Sequence, residues 1–135
     1  MTRLRQSLLS VSVFLFASTA VACQDAKCFK ETSDKYLRQA KAKEVSMASQ
    51  ESKAAQTMVL EQATVYAWRE SAAIFEQIAK AYDNCRGEAG RTGFQEVTQL
   101  LGKMRFNTEP LADLSKRYIA SAKSRLDQAF RDCGK

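Results

Sequence analysis

The apolar residues between Ser52 and Cys85 repeat at the spacing of an α-helix. At about 100° per residue, alternate steps of three and four place one stripe of side chains on a single face: Met58, Val65, Trp68, Ala72, Phe75, Ala79 and Tyr82. A second set of apolar residues widens this stripe to an arc of about 200°: Leu60, Ala67, Ile74, Ile78 and Ala81. The pattern predicts a central helix that neighbours cover from at least two directions, with Trp68 and Phe75 in the core.

The segment before this helix also has a helical composition. From Gln24 to Arg86 the chain contains no glycine and no proline, and residues of good helix propensity dominate. We expect Thr32 or Ser33 to cap the start of the first helix. A stretch rich in Ser, Gln and Ala at 46–57 leaves open whether the two helices are continuous. We favour a break, because an unbroken helix would be about 50 residues long, against a usual length of about 8 to 20.

Glycines punctuate the chain after the central helix. Gly87, Gly90 and Gly93 fall within seven positions, which predicts a loop. Thr92 followed three residues later by Gln95 matches a capping box, and we expect it to begin a short third helix. One face of that helix is apolar: Phe94, Val97, Leu100, Leu101 and Met104.

A final helix is expected to begin near Pro110, because proline is tolerated in the first turn of a helix. Its apolar stripe is regular: Leu111, Leu114, Tyr118, Ile119, Ala122, Leu126, Ala129, Phe130 and Cys133. No stretch of the chain shows the alternation of a strand. The predicted fold class is therefore all-α, a small antiparallel up-and-down bundle of three or four helices.

The first 22 residues have the features of a secretory signal. Arg3 and Arg5 precede an apolar run, and Ala20, Val21 and Ala22 supply the small residues of a cleavage site. The run is shorter than the roughly 20 apolar residues of a membrane span. We predict a cleaved signal peptide at 1–22, followed by one helical-bundle domain at 23–135 in the bacterial periplasm.

Cys23 gives the same segment a second interpretation. Small residues before a cysteine are also typical of a lipoprotein signal, although that pattern has leucine where this chain has Ala20. The alternative is therefore an outer-membrane lipoprotein anchored through Cys23, acting in surface exclusion or envelope assembly. Gln24 after the cysteine would fit sorting to the outer membrane.

Cleavage after Ala22 leaves an even set of cysteines in an oxidising compartment: Cys23, Cys28, Cys85 and Cys133. Four cysteines allow two disulfides in three possible pairings. Cys85 closes the central helix and Cys133 ends the final one, and four helices would bring both ends to the same pole. We therefore expect a disulfide between Cys85 and Cys133. Should the third helix be too short for this geometry, Cys28 would be the competing partner for either.

Histidine is absent from the chain, which removes the commonest general base and the commonest metal ligand. Cys23 and Cys28 do not have the C-x-x-C spacing of redox and zinc motifs. The methionines at 47, 58 and 104 are interpreted as core packing rather than as copper ligands. We therefore predict no catalytic residues, no cofactor and no metal, and expect a protein that is not an enzyme.

Charge and exposed side chains favour a binding protein. The chain has 21 basic and 15 acidic residues, a net charge of +6, which becomes +4 once the two arginines of the signal are removed. Nucleic acid is not an expected partner, because no element concentrates the charge and the protein is exported. The candidate binding residues are Tyr66 and Arg69 on the polar arc of the central helix, and Lys35 and Arg38 before it.

The function we expect is that of an immunity or inhibitor protein, or an accessory factor of a secretion or conjugation system. Its partner would be another envelope or secreted protein. A membrane surface would be a partner only if Cys23 carried lipid.

Overall fold

The structure is a computed structural model that describes residues 23–49, 55–104 and 111–134. Four helices make up these ranges: α1 at Ala26–Ala48, α2 at Ala55–Tyr82, α3 at Glu88–Gly102 and α4 at Leu111–Asp132. No strand occurs within them, so the all-α prediction is confirmed for this part of the chain. The predicted signal peptide at 1–22 and the boundary before Pro110 lie outside the described residues.

α1 and α2 are separate helices that pack side by side in opposite directions. Near one end, the rings of Phe29 and Tyr82 are 4.9 Å apart. Further along, the Ser33 hydroxyl donates to the Ala72 carbonyl oxygen over 2.6 Å. A single continuous helix could not make these contacts with itself, so the break expected near 46–57 is confirmed. α2 itself ends at Tyr82, before Cys85.

α3 and α4 form a second antiparallel pair. The Gly87 amide at the start of α3 donates to the Cys133 carbonyl oxygen just after the end of α4, over 2.9 Å. About two turns further into α3, the rings of Phe94 and Phe130 meet edge to face at 5.5 Å. α4 also packs against α2, so α2 is covered by α1 on one side and by α4 on another. The expectation that neighbours cover the central helix from two directions is met.

A line of aromatic rings crosses the core and joins all four helices. Tyr82 of α2 lies 4.9 Å from Phe29 of α1 and 6.0 Å from Phe94 of α3, and Phe94 continues the line to Phe130 of α4. Each such pair contributes about 0.5–1.5 kcal/mol beyond the burial of its area. Aliphatic side chains fill the space around the rings: Ile74, Ile78, Val97, Leu101, Ile119 and Leu126.

The predicted caps of α1 and α3 are wrong. The Asp25 carboxylate caps α1 by accepting from the Cys28 amide over 2.8 Å. Thr32 lies inside the helix, where its hydroxyl donates to the Cys28 carbonyl oxygen four residues earlier. This local bond satisfies the hydroxyl, so threonine can occupy a position inside the helix although its preferred place is the cap. Ser33 is equally internal, bonded across to α2.

The glycines assigned to a loop lie mostly inside α3. This helix begins at Glu88 with Gly87 at its cap, so Gly90 and Gly93 are buried helical residues. A Cβ atom on Gly93 would stand 2.7 Å from the Ala129 Cβ of α4. The glycines allow two helices to approach closely, a use that the sequence pattern does not distinguish from a turn. The Thr92 capping box therefore falls within the helix and does not start it.

Two residues of the predicted core stripe are more exposed than expected. Met58 is 46% exposed, because it lies more than two turns before Ala67, the first α2 residue of the main core cluster. Trp68 is half-buried and faces a surface groove. Three other predictions are confirmed, since Phe75 and Met104 are buried and Tyr66 is exposed.

Candidate functional site

All four cysteines of the described ranges are in disulfides. Cys23 is bonded to Cys28 and Cys85 to Cys133, with S–S distances of 2.04 and 2.13 Å. The Cys85–Cys133 bond ties the end of α2 to the end of α4, close to the start of α3. This pole of the molecule is therefore fixed covalently as well as by the aromatic line.

A groove of about 620 Å³ opens between α1 and the C-terminal end of α3. We call it the α1–α3 groove. One wall is a face of α1, the floor includes one α2 side chain among the described residues, and the other wall is the last turn of α3 with Met104, two residues after the helix ends. The lining residues are Cys28, Glu31, Thr32, Lys35, Tyr36, Arg38, Gln39, Trp68, Leu101, Gly102 and Met104.

Tyr36, one of the two aromatic residues among the described lining residues of the groove, is anchored in the core. The ring of Tyr36 stacks on Phe75 with centroids 5.5 Å apart and an angle of 11° between the rings. Burial raises the pKa of Tyr36, so its hydroxyl is neutral at physiological pH and can both donate and accept a hydrogen bond. Trp68 is held on α2 beside it. Both rings offer flat apolar surface at positions that the helices fix.

Basic side chains stand on the α1 wall of the groove. Lys35 and Arg38 are exposed, and neither belongs to an ion pair among the described residues. Lys30 differs from them, since its ammonium lies 3.4 Å from Asp34 and 3.6 Å from Glu76. Glu31 is the one acidic residue among the described lining residues, so these residues together carry a net charge of +1.

The other two candidate binding residues lie outside this groove. Arg69 forms an ion pair with Glu44 across the α1–α2 contact. Tyr66 is 38% exposed on α2 and does not line the groove. The structure therefore brings Lys35 and Arg38 together and leaves Tyr66 and Arg69 on a separate surface.

Sequence reasoning missed the apolar part of this site. Leu101 and Met104 were assigned to the core, where they are indeed buried, but they also form the far wall of the groove. Trp68 was placed in the same core. No signal in the sequence set Trp68 apart from the rest of the α2 apolar arc, because its exposure depends on the location of α3.

The lining groups can form hydrogen bonds, ion pairs and apolar contacts. Within the described ranges no cluster of three or more side chains is arranged to hold a metal ion. None of the four described helices is both long and apolar enough to cross a bilayer.

Compared with known protein families, curated proteins and solved structures, the chain shows no significant match. Its function must therefore be inferred from its own residues.

Proposed function

We propose that this chain is an exported, non-enzymatic binding protein that docks onto another envelope or secreted protein through the α1–α3 groove. The observation that carries the proposal is the combination, in one groove, of Lys35 and Arg38, which form no ion pair with another described residue, and of the core-anchored ring of Tyr36 with Trp68. Arginine and large aromatic residues are enriched among the residues that dominate binding energy. Unpaired cations at the rim would also steer an oppositely charged partner toward the groove.

Export is supported by two independent features of the chain. Two disulfides in a chain of 135 residues are typical of an oxidising compartment. The N-terminal pattern of basic, apolar and small residues is typical of a secretory signal. We place the mature protein, residues 23–135, in the periplasm as an up-and-down four-helix bundle.

An immunity or inhibitor role is the form of this function that fits best. A preformed groove on a covalently fixed scaffold loses little conformational freedom on binding, which favours tight association. Such affinity is what a protein needs to occlude a toxin or hydrolase. A secretion or conjugation accessory is the second candidate, because the same surface could hold a component of an envelope assembly.

Lipid attachment and the Cys23–Cys28 disulfide would both require the sulfur atom of Cys23, so they exclude each other. Lipid attachment would need the Cys23 thiol, which is bonded to Cys28, and Cys23 is only 2% exposed. Its carbonyl oxygen also accepts from the Gln95 side-chain amide over 2.6 Å. These contacts support ordinary cleavage after Ala22. We expect globomycin not to affect the processing, and the product to appear in the soluble periplasmic fraction. A product that is bound to the membrane and whose processing is sensitive to globomycin would contradict cleavage after Ala22.

The binding function is tested by charge reversal at two α1 residues that line the groove and at two that do not. The groove variant is Lys35→Glu/Arg38→Glu, and the control is Lys27→Glu/Lys41→Glu, which makes the same change at exposed residues outside the groove. Each purified protein is cross-linked in envelope extract and its products are identified by mass spectrometry. We expect one partner to be captured by the wild type and the control but not by the groove variant. Equal capture by all three, or equal loss in both variants, would contradict the proposal.

A further inference from the structure

We propose that this chain forms a two-fold symmetric homodimer through the outer face of the α1–α2 hairpin, with a second copy packed antiparallel on the first. All the large apolar side chains that are exposed among the described residues lie on these two helices, and none lies on α3 or α4. We call them the hairpin patch: Leu37, Val45, Met58, Val59 and Tyr66, each between 38% and 71% exposed. Apolar residues that cluster in this way are typical of an interaction surface, whereas single ones are not.

The members of the hairpin patch share one side of the hairpin. Leu37 and Glu44 are two helical turns apart and therefore lie on one face of α1. On α2, Val59, Tyr66 and Arg69 share a face for the same reason. The ion pair between Glu44 and Arg69 joins these two faces. The two remaining members of the patch are sequence neighbours of Glu44 and Val59, and no member lines the α1–α3 groove.

The charge of this side of the hairpin favours a second copy over a strongly charged partner. Its ion pairs join three basic with three acidic side chains and so add no net charge: Lys30, Arg69 and Lys80 with Asp34, Glu44 and Glu76. Lys41, one turn from both Leu37 and Val45, adds a single positive charge. The mature chain has a charge of +4, so two copies repel each other least where their surfaces are closest to neutral.

The spacing of the hairpin patch matches a two-fold axis. The contacts of Ser33 with Ala72 and of Glu44 with Arg69 place Val45 and Tyr66 at about the same level along the hairpin. Leu37 lies about 12 Å from this level toward one end, and Val59 lies about 10.5 Å from it toward the other.

A second copy turned by 180° about this level therefore presents the same apolar groups in the same places. Val45 then lies opposite Val45 and Tyr66 opposite Tyr66. Leu37 of each copy meets the other hairpin near its tip, where Met58 and Val59 lie. The contact is self-complementary, as the interface of a two-fold dimer must be.

The size of this contact predicts a weak dimer. The overlap from Leu37 of one copy to Leu37 of the other is about 24 Å long, and two helices side by side are about 20 Å wide. Each copy therefore contributes about 480 Å², or about 1,000 Å² in total, which is at the lower limit for a specific interface. We expect an equilibrium between monomer and dimer with a dissociation constant in the micromolar range.

The dimer goes beyond the proposed function and does not depend on what the α1–α3 groove binds. The hairpin patch and the groove have no residue in common, so each copy keeps its own groove. A dimer would present two of them, and a partner with two matching sites would be held more tightly because the second contact becomes intramolecular.

Sedimentation velocity of the oxidised mature protein, from micromolar to millimolar concentration, tests the dimer. The patch variant is Val45→Glu/Tyr66→Glu, and the matched control is Ala120→Glu/Ser124→Glu, which adds two carboxylates at exposed residues of α4. We expect wild type and control to dimerise equally. The patch variant should associate at least about 100-fold more weakly, because its dimer would bury unpaired carboxylates. About 0.5 M salt should not weaken the wild-type dimer, because ion pairs between copies do not hold it.

The symmetry is tested in a chain that carries a benzophenone side chain in place of Leu37. Isotopically labelled and unlabelled proteins are mixed in equal amounts, irradiated and mapped by mass spectrometry. We expect cross-links from position 37 to Met58 or Val59 that join labelled with unlabelled copies. Within one copy these positions are about 22 Å apart along the hairpin, too far for this reagent. The result does not depend on how well the glutamate variant folds.

Three results would overturn the inference: a wild type that stays monomeric at millimolar concentration, equal dimerisation of the patch and control variants, or cross-links confined to single copies. A monomer that floats with phosphatidylcholine vesicles, when the patch variant does not, would assign the patch to a lipid surface. The docking function is judged separately. Capture that depends on Lys35 and Arg38 stands whether or not the protein dimerises, and the dimer stands if that capture fails.

Discussion

Gly90 of α3 lies so close to Cys133 that a Cβ atom on residue 90 would stand 2.6 Å from the Cys133 sulfur and 2.8 Å from its backbone nitrogen. Both distances are shorter than real Cβ contacts. The close approach has a direct structural reason, since the disulfide that joins α2 to α4 passes over the first turns of α3. The packing of α3 against this disulfide therefore requires glycine at position 90.

Gly90→Ala should destabilise the protein by about 1–3 kcal/mol, because the added methyl group overpacks a site bounded by backbone and by a disulfide. Gly102→Ala is the matched control, since its Cβ would meet nothing within 4 Å. There alanine should be neutral or stabilise the helix by up to about 1 kcal/mol. Urea denaturation of the oxidised proteins measures both free energies. A Gly90→Ala variant as stable as the wild type would contradict the close packing of α3 against this disulfide.

The two disulfides should differ in their contribution to stability. The cysteines of the Cys85–Cys133 bond are 48 residues apart in sequence, and those of the Cys23–Cys28 bond only 5. On the chain-entropy estimate the long loop contributes about 4 kcal/mol and the short loop about 2 kcal/mol. Replacing each pair by alanine and measuring the free energy of unfolding compares them. Equal losses, or a larger loss for the Cys23–Cys28 pair, would show that native-state contacts outweigh loop closure.

Buried serines provide a test of the hydrogen bonds in the core. The Ser33 hydroxyl donates to the Ala72 carbonyl oxygen, whereas the buried hydroxyls of Ser71 and Ser115 have no hydrogen-bond partner among the described residues. Ser33→Ala should therefore cost about 1 kcal/mol. Ser71→Ala and Ser115→Ala should be neutral or stabilising, because alanine removes a buried hydroxyl whose burial no hydrogen bond to a described residue offsets. Thermal unfolding of the three variants ranks them, and a loss at Ser71 equal to that at Ser33 would contradict the ranking.

Stability should decrease above about pH 10, the ordinary pKa of tyrosine. Burial raises the pKa of Tyr36 in the folded protein above 10.0. Below the pKa of tyrosine in the unfolded chain, both the folded and the unfolded protein keep the Tyr36 proton, and the free energy of unfolding is at its full value. Above that pKa the unfolded chain ionises first, so the free energy of unfolding falls as the pH rises through the pKa of Tyr36 in the folded protein. Tyr36→Phe should reduce the slope of the free energy of unfolding between about pH 9 and 11. An unchanged slope would mean that another tyrosine causes the loss.

The central helix could be predicted from the sequence because its burial repeats with the helical period. The helical phase of its apolar residues and the composition of the segment were enough to place Phe75 in the core and Tyr66 at the surface. The same reasoning predicted two separate helices before residue 83. It worked where neighbours cover the helix evenly, and it failed at Met58, where α2 extends past the main core cluster and the apolar arc has nothing to cover it.

Features that depend on distant residues could not be predicted. The role of Gly90 is set by Cys133, which is far away in sequence, so a pattern of three glycines was assigned to a loop. The groove could not be predicted for the same reason. Lys35 and Arg38 were identified by their charge, but their shared wall and the apolar surface opposite them exist only once the end of α3 is positioned over Trp68.

The most direct test of the central claim is the dissociation constant of the captured envelope partner, measured by calorimetry with wild type, Lys35→Glu/Arg38→Glu and Lys27→Glu/Lys41→Glu. If the α1–α3 groove is the docking surface, the groove variant should bind about 100-fold more weakly, or about 2.7 kcal/mol, a loss typical of dominant interface residues. The control should remain within about threefold of wild type, because rim charges away from an interface contribute little. Equal affinities for the two variants would contradict the claim that this groove binds the partner.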